Sequence, residues 1–118
     1  MRKRICVVED NEGIRDVIEI ILSDLYDVKI FMNVGSFNLG DDRNLPDLYL
    51  FDVMLPDGNG IDLCNQIRST KGKEHIPIII MSAAVKSNDV MDQCSANAFL
   101  SKPFEIDNLL NIIKHNLC

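Results

Sequence analysis

The sequence predicts an α/β domain built on a mostly parallel, five-stranded sheet with helices on both faces. Three observations carry this. Short continuous apolar runs, several rich in β-branched residues, recur along the chain as strands buried on both faces do. Segments with apolar residues at helical spacing lie between them. The two kinds alternate without a linker, low-complexity tract or repeat, so the strands must be joined by right-handed crossovers. At 118 residues, the chain fits one domain, 1–118, with a proper core.

The elements follow in order. Ile5 to Val8 is a first strand. Ile14, Val17, Ile18, Ile21, Leu22 and Leu25 mark a helix, with Asn11 as its N-cap. Val28 to Phe31 is a second strand. Asn33 to Leu45 is rich in Gly, Asn and Asp, all poor in helix interiors, so a short or frayed helix is expected there. Leu48 to Phe51 is a third strand, followed by a Pro56-Asp57-Gly58-Asn59-Gly60 turn. Ile61, Leu63, Cys64 and Ile67 form the inner stripe of the next helix, with Asp62 suited to its N-terminal dipole. Pro77 opens a fourth strand, Ile78 to Met81. Val85 to Cys94 is a helix with a thin apolar stripe. Ala98 to Leu100 is a short fifth strand. Ile106, Leu109, Leu110, Ile113 and Leu117 give an amphipathic final helix, with His115 near its C-terminal end.

Composition narrows the function. Apolar residues make up 47% and charged residues 25%, as in an ordinary globule rather than a disordered chain. A net charge of −6 argues against direct nucleic-acid binding and against an anionic membrane surface. No apolar run is long enough to span a bilayer. The basic start, Arg2-Lys3-Arg4, leads into an apolar run that is too short for a signal peptide and ends in Glu9-Asp10. Cys6, Cys64, Cys94 and Cys118 match no zinc spacing and read as reduced thiols of a cytoplasmic protein.

Chemistry in open parallel sheets collects at the carboxyl ends of the strands. The first strand ends in Glu9-Asp10, the third in Asp52, the fourth in Ser82 and the fifth in Ser101-Lys102-Pro103. Three carboxylates, a hydroxyl and an ammonium thus face one edge. Clustered carboxylates repel, and a hard divalent cation relieves them. Mg²⁺ takes one or two carboxylates, waters and a phosphate. A carboxylate beside it can attack phosphorus, with Lys102 and Ser82 steadying the phosphoryl oxygens. On this reading Asp52 accepts the phosphate.

These residues resemble the response-regulator receiver domain of two-component signalling, over essentially the whole chain. The matching pieces are Val7-Val8-Glu9-Asp10-Asn11, Leu50 to Gly60, Ile78 to Ala83, and Phe99-Leu100-Ser101-Lys102-Pro103-Phe104. The resemblance implies a flavodoxin-like receiver fold with strand order 2-1-3-4-5. It implies that Asp52 is the phosphoacceptor, that Asp10 binds Mg²⁺ directly and Glu9 through water, and that the Met54 backbone carbonyl completes the protein ligands. Lys102 would pair with the phosphoryl group. Ser82 would be the switch hydroxyl, and Phe99 the aromatic that turns inward with it. The Lys102-Pro103 bond would be cis, and Asp57 a turn residue pointing away from the metal. A histidine kinase or phosphotransfer protein would supply the phosphoryl group, and an output domain or protein would read the switch. Such a protein catalyses only its own phosphotransfer and dephosphorylation. Met54 and Ala84, flanking the site, carry no acid or amide to hold an attacking water, so a long-lived phosphoryl group is expected.

Other classes fit less well. A haloacid-dehalogenase-type phosphatase needs a second Asp two residues after the first, where this chain has Met54. A flavodoxin-like cofactor binder wants a phosphate-cradling loop after the first strand, and Glu9-Asp10-Asn11-Glu12 would repel a phosphate there. A degenerate receiver acting only as a binding module would be expected to lack Asp10, Asp52 or Lys102.

Overall fold

β1 (Arg4–Val8), β3 (Leu48–Asp52) and β6 (Ile78–Ser82) form the centre of the sheet, and the last two are buried at every position. β2 (Asp27–Phe31) and β7 (Ala98–Ser101) flank them as edges, and both are only partly buried. The order is β2-β1-β3-β6-β7, every neighbouring pair parallel. Between β3 and β6 the chain adds a two-stranded antiparallel ribbon, β4 (Met54–Leu55) with β5 (Gly58–Asn59). With that ribbon set aside, the order is the expected 2-1-3-4-5. The ribbon was not expected, because two-residue strands are too short to leave a periodic signal. The computed structural model describes residues 2–40, 44–83, 90 and 92–117.

Side chains alternate across the sheet and build two cores. One holds Val8, Tyr49, Phe51, Ile78 and Ile80 against α3 (Gly60–Arg68). The other holds Val7, Leu50, Ile79 and Met81 against α1 (Glu12–Ser23) and the C-terminal helix (Ile106–Leu117). Phe51 is fully buried, so Phe51→Ala should cost about 3–5 kcal/mol in chemical denaturation.

The helix stripes are narrower than their periodicity suggests. In α1, Ile18 and Leu22 are buried while Val17 is exposed. Leu25 is exposed too, because the helix ends at Asp24 and the spacing no longer sets its direction. Ile106, the first residue of its helix, is also exposed. Asn11 caps α1 as expected, accepting from the Ile14 amide at 2.9 Å. Of the helix expected over Val85–Cys94, residues 84–89 and 91 lie outside the described residues, and Val90, Asp92 and Gln93 are helical. Cys6, Cys64 and Cys94 are buried and free. Burial pushes the Cys6 and Cys64 thiols up to about 12, which suits unreactive core thiols.

The second crossover is the expected short helix, α2 (Val34–Asn38). Five residues cannot sustain a helix alone. The Phe37 ring holds it edge-on against Phe31, Tyr49 and Phe51, with centroids 5.7, 6.0 and 5.6 Å away. Asn33 caps it, accepting from the Ser36 amide at 2.8 Å. At the start of α3, Gly60 lies against the third strand. A Cβ there would sit 2.4 Å from the Asp52 carbonyl oxygen, so that helix can pack beneath Asp52 only with glycine.

Candidate functional site

The carboxyl edge of the sheet brings together residues from four loops. The Glu9 amide donates to the Phe31 carbonyl at 3.0 Å, which carries the β1–β2 ladder one residue past the strand. Val53 does the same toward the Met81 carbonyl at 3.0 Å, and Lys102 toward the Ser82 carbonyl at 3.0 Å. Backbone bonds therefore fix where Glu9, Asp52, Ser82 and Lys102 leave the sheet. Ser82 pairs in register with Ser101, and Ile80 with Phe99. The two-residue period then places Ser82 and Phe99 on one sheet face. Phe99 is partly buried there, against the core that includes Val90 and Cys94.

Glu9, Asp10 and Asp52 offer carboxylate oxygens that all lie within 4.8 Å of one another. Glu9 is 0% exposed and Asp52 5%, whereas Asp10 is open to solvent. The Lys102 ammonium bonds Glu9 Oε1 and lies 3.3 Å from Asp52 Oδ1. The other Glu9 oxygen accepts from the Asn11 amide at 3.3 Å. Glu9 is thus no solvated edge acid but the most enclosed carboxylate of the three. Three carboxylates against one ammonium leave a formal −3 + 1 = −2 at this edge. That deficit, with oxygen donors only and one open side, matches a hard divalent cation such as Mg²⁺.

Burial is the main force on Glu9, raising its carboxyl from the ordinary 4.5 to about 7; the Lys102 ammonium pulls it down and the Asp52 carboxylate pushes it up. The unfolded chain therefore releases this proton first. Between pH 4.5 and 7 the native state holds more protons, so metal-free stability should fall as pH rises through that window and level off above it. Urea unfolding across the window should show this slope in the wild type and not in Glu9→Gln. Parallel pH profiles for the two proteins would refute it.

Two residues that hold the site have no distinctive sequence signal. Arg15, on the first turns of α1, donates to the Asp10 carbonyl at 2.6 Å and the Glu9 carbonyl at 3.2 Å, pinning the acidic loop. A basic residue one helical turn beyond paired acids is the only hint the chain offers. Asp57, expected as a turn residue, does lie at a turn, but its carboxylate accepts from the Val34 and Gly35 amides at 2.8 Å each. Those two bonds, Val34 first, hold its carboxyl below the usual range. Met54 directs its side chain outward, 63% exposed. The Lys102–Pro103 bond is cis. Ala84 lies outside the described residues.

A family model described as the response regulator receiver domain matches residues 5–114. Among characterised proteins, the chain is 34% identical over 121 residues to the DNA-binding response regulator MtrA of Mycolicibacterium smegmatis, covering 99% of this chain and 51% of that protein. The chain spans about half the length of the curated relatives it matches. Among solved structures, it superposes with a TM-score of 0.90 on a putative response regulator from Chloroflexus aurantiacus, 26% identical, covering 99% of this chain and 98% of that one. It also superposes, with a TM-score of 0.87 and 28% identity, on the receiver domain of the sensor histidine kinase PA1611 from Pseudomonas aeruginosa. That match covers 99% of this chain and 98% of the other, and the structure has a magnesium ion coordinated in the active site cleft.

Proposed function

The chain belongs to the response-regulator receiver family, and on that premise we propose that it is a phosphorylation-dependent switch whose acceptor is Asp52. The observation that carries the reading is the Lys102 ammonium set between buried Glu9 and Asp52, with Asp10 beside them at one sheet edge. Asp10, Asp52 and the Met54 carbonyl would hold Mg²⁺, with Glu9 acting through water. The ion supplies charge neutralisation for the carboxylates and the incoming phosphoryl oxygens.

An Asp52 carboxylate oxygen attacks the phosphorus of a phosphohistidine presented by a histidine kinase or phosphotransfer protein. A P–O bond forms, the P–N bond breaks, and its electron pair stays on the histidine nitrogen. Lys102, already 3.3 Å from Asp52, bonds the transferred oxygens. The added charge and acceptors recruit Ser82, and Phe99 follows on the same face. This shifts a two-state equilibrium in the surface around β7 and the C-terminal helix. The protein is a signalling switch rather than a turnover enzyme, and residues 1–118 act as one domain in the cytoplasm. Among the described residues no helix is long and apolar enough to cross a membrane. The acidic balance supports control of an output domain or protein rather than direct contact with nucleic acid.

Incubation with a small-molecule phosphodonor tests this by intact mass. One phosphoryl group should be added, only with Mg²⁺ and not to Asp52→Asn. No addition to a folded, Mg²⁺-binding protein would instead point to a binding module that kept the site and lost the switch. The phosphorylated form should persist without a partner, because the exposed Met54 side chain offers no acid or amide to hold an attacking water. Rapid loss of the added mass in the protein alone would contradict this.

A further inference from the structure

The ribbon that leaves Asp52 is fastened at both ends. At its base, the Gly60 amide donates to the Val53 carbonyl at 3.1 Å. Met54 then pairs with Asn59, and Leu55 with Gly58. At its tip, the two oxygens of Asp57 take one amide each, Oδ1 from Val34 and Oδ2 from Gly35, both at 2.8 Å. Tip and helix are in direct contact: a Cβ on Gly58 would come 2.9 Å from Val34 Cγ2. The Met54 side chain is 63% exposed and gives the ribbon little anchorage of its own. The direction of the Met54 carbonyl therefore depends on how both ends are held: at the base the Asn59 side chain also accepts from the Asp62 amide at 2.8 Å and Leu55 packs against the core, while at the tip the hold on α2 is made by the Asp57 side chain.

A cap serving α2 alone would be the simpler role. That helix, however, already has Asn33 on the Ser36 amide at 2.8 Å and Phe37 packed among three rings. Asp57 adds a link between elements, since it lies 22 and 23 residues from the amides it binds.

We propose that Asp57 is a positioning residue for the metal-binding loop: by bridging the Val34 and Gly35 amides it holds the ribbon that presents the Met54 carbonyl beside Asp52. This rests on the reading of that carbonyl as a metal ligand. Groups that orient ligands from behind change metal affinity about 10- to 100-fold. Asp57 acts through the ribbon, so the low end applies.

Calorimetric Mg²⁺ titration of the whole chain tests the inference at a temperature where each variant is folded, checked by its amide spectrum. Lost stability alone does not alter the affinity of a fully folded population. Asp57→Ala should weaken Mg²⁺ binding about tenfold, and Asp57→Asn, which keeps one acceptor oxygen, should recover part of the loss. Val34→Pro removes one donor from the other side. Its position is the first of α2, where proline is tolerated, and the preceding Asn33 is extended, as proline requires. It should weaken binding in the same direction. Equal Mg²⁺ affinity in wild type and Asp57→Ala overturns the inference and leaves the metal site standing. Failure of the wild type to bind Mg²⁺ overturns both.

Discussion

Replacing Lys102 with alanine should slow phosphorylation of Asp52 by about 100- to 1,000-fold at saturating Mg²⁺, while Mg²⁺ binds at least as tightly as before. The two effects separate because the lysine faces two tasks. Without metal it is the counter-charge for Glu9 and Asp52, and its own side chain is only 11% exposed. Removing it leaves the three carboxylates with no paired cation among the described residues, which should strengthen their pull on Mg²⁺. During the proposed transfer the same ammonium would be released toward oxygens that gain charge, a donor already in place and needing no solvent rearrangement. Lys102→Arg should not restore the rate, because a planar fork cannot occupy the place of a compact ammonium between two carboxylates. The check is the initial rate of phosphoryl incorporation, read by intact mass. A rate within a few-fold of wild type would show that Lys102 only neutralises the acids.

Mg²⁺ should stabilise the folded chain strongly, and Asp10→Asn should remove most of that response. The native state gathers Glu9, Asp10 and Asp52 within 4.8 Å, which the unfolded chain does not, so the ion binds one state. At one hundred times Kd the gain is about 2.7 kcal/mol, or roughly ten degrees in Tm for a domain of this size. Asp10 is the exposed member of the cluster. Its neutralisation should therefore cost little stability without metal, which separates a lost ligand from a damaged fold. The response should also fade as pH falls below about 7, where Glu9 holds its proton and the cluster loses charge. Thermal unfolding with and without excess Mg²⁺, for both proteins, decides it. An unchanged wild-type Tm would remove the acid cluster as a metal site.

The five strands were legible because their apolar runs are continuous, and α1, α3 and the C-terminal helix because period 3.6 survives in any local window. The strand-end residues Asp10, Asp52, Ser82 and Lys102 stood out for the same reason: each lies within two residues of the end of a run that can be read. Glu9 shows where local reading stops. Next to Asp10 it looks like one more edge acid, yet it is fully enclosed, because Lys102 arrives from a segment 93 residues away. Val17 shows it in the other direction. Its spacing fits the α1 stripe, but the sheet covers only part of that stripe.

Patterning along the chain was thus enough to settle the α/β class and to show the edge where the acids gather, since these follow from local period and from what ends each strand, while the strand order came from the resemblance of the motifs to the receiver family. The charge state of Glu9, the pinning of the acidic loop by Arg15 and the bridge from Asp57 to α2 were decided only by the folded molecule. Each depends on a partner that no short window contains: desolvation by the assembled sheet in the first case, and backbone atoms presented by a neighbouring loop or helix in the other two.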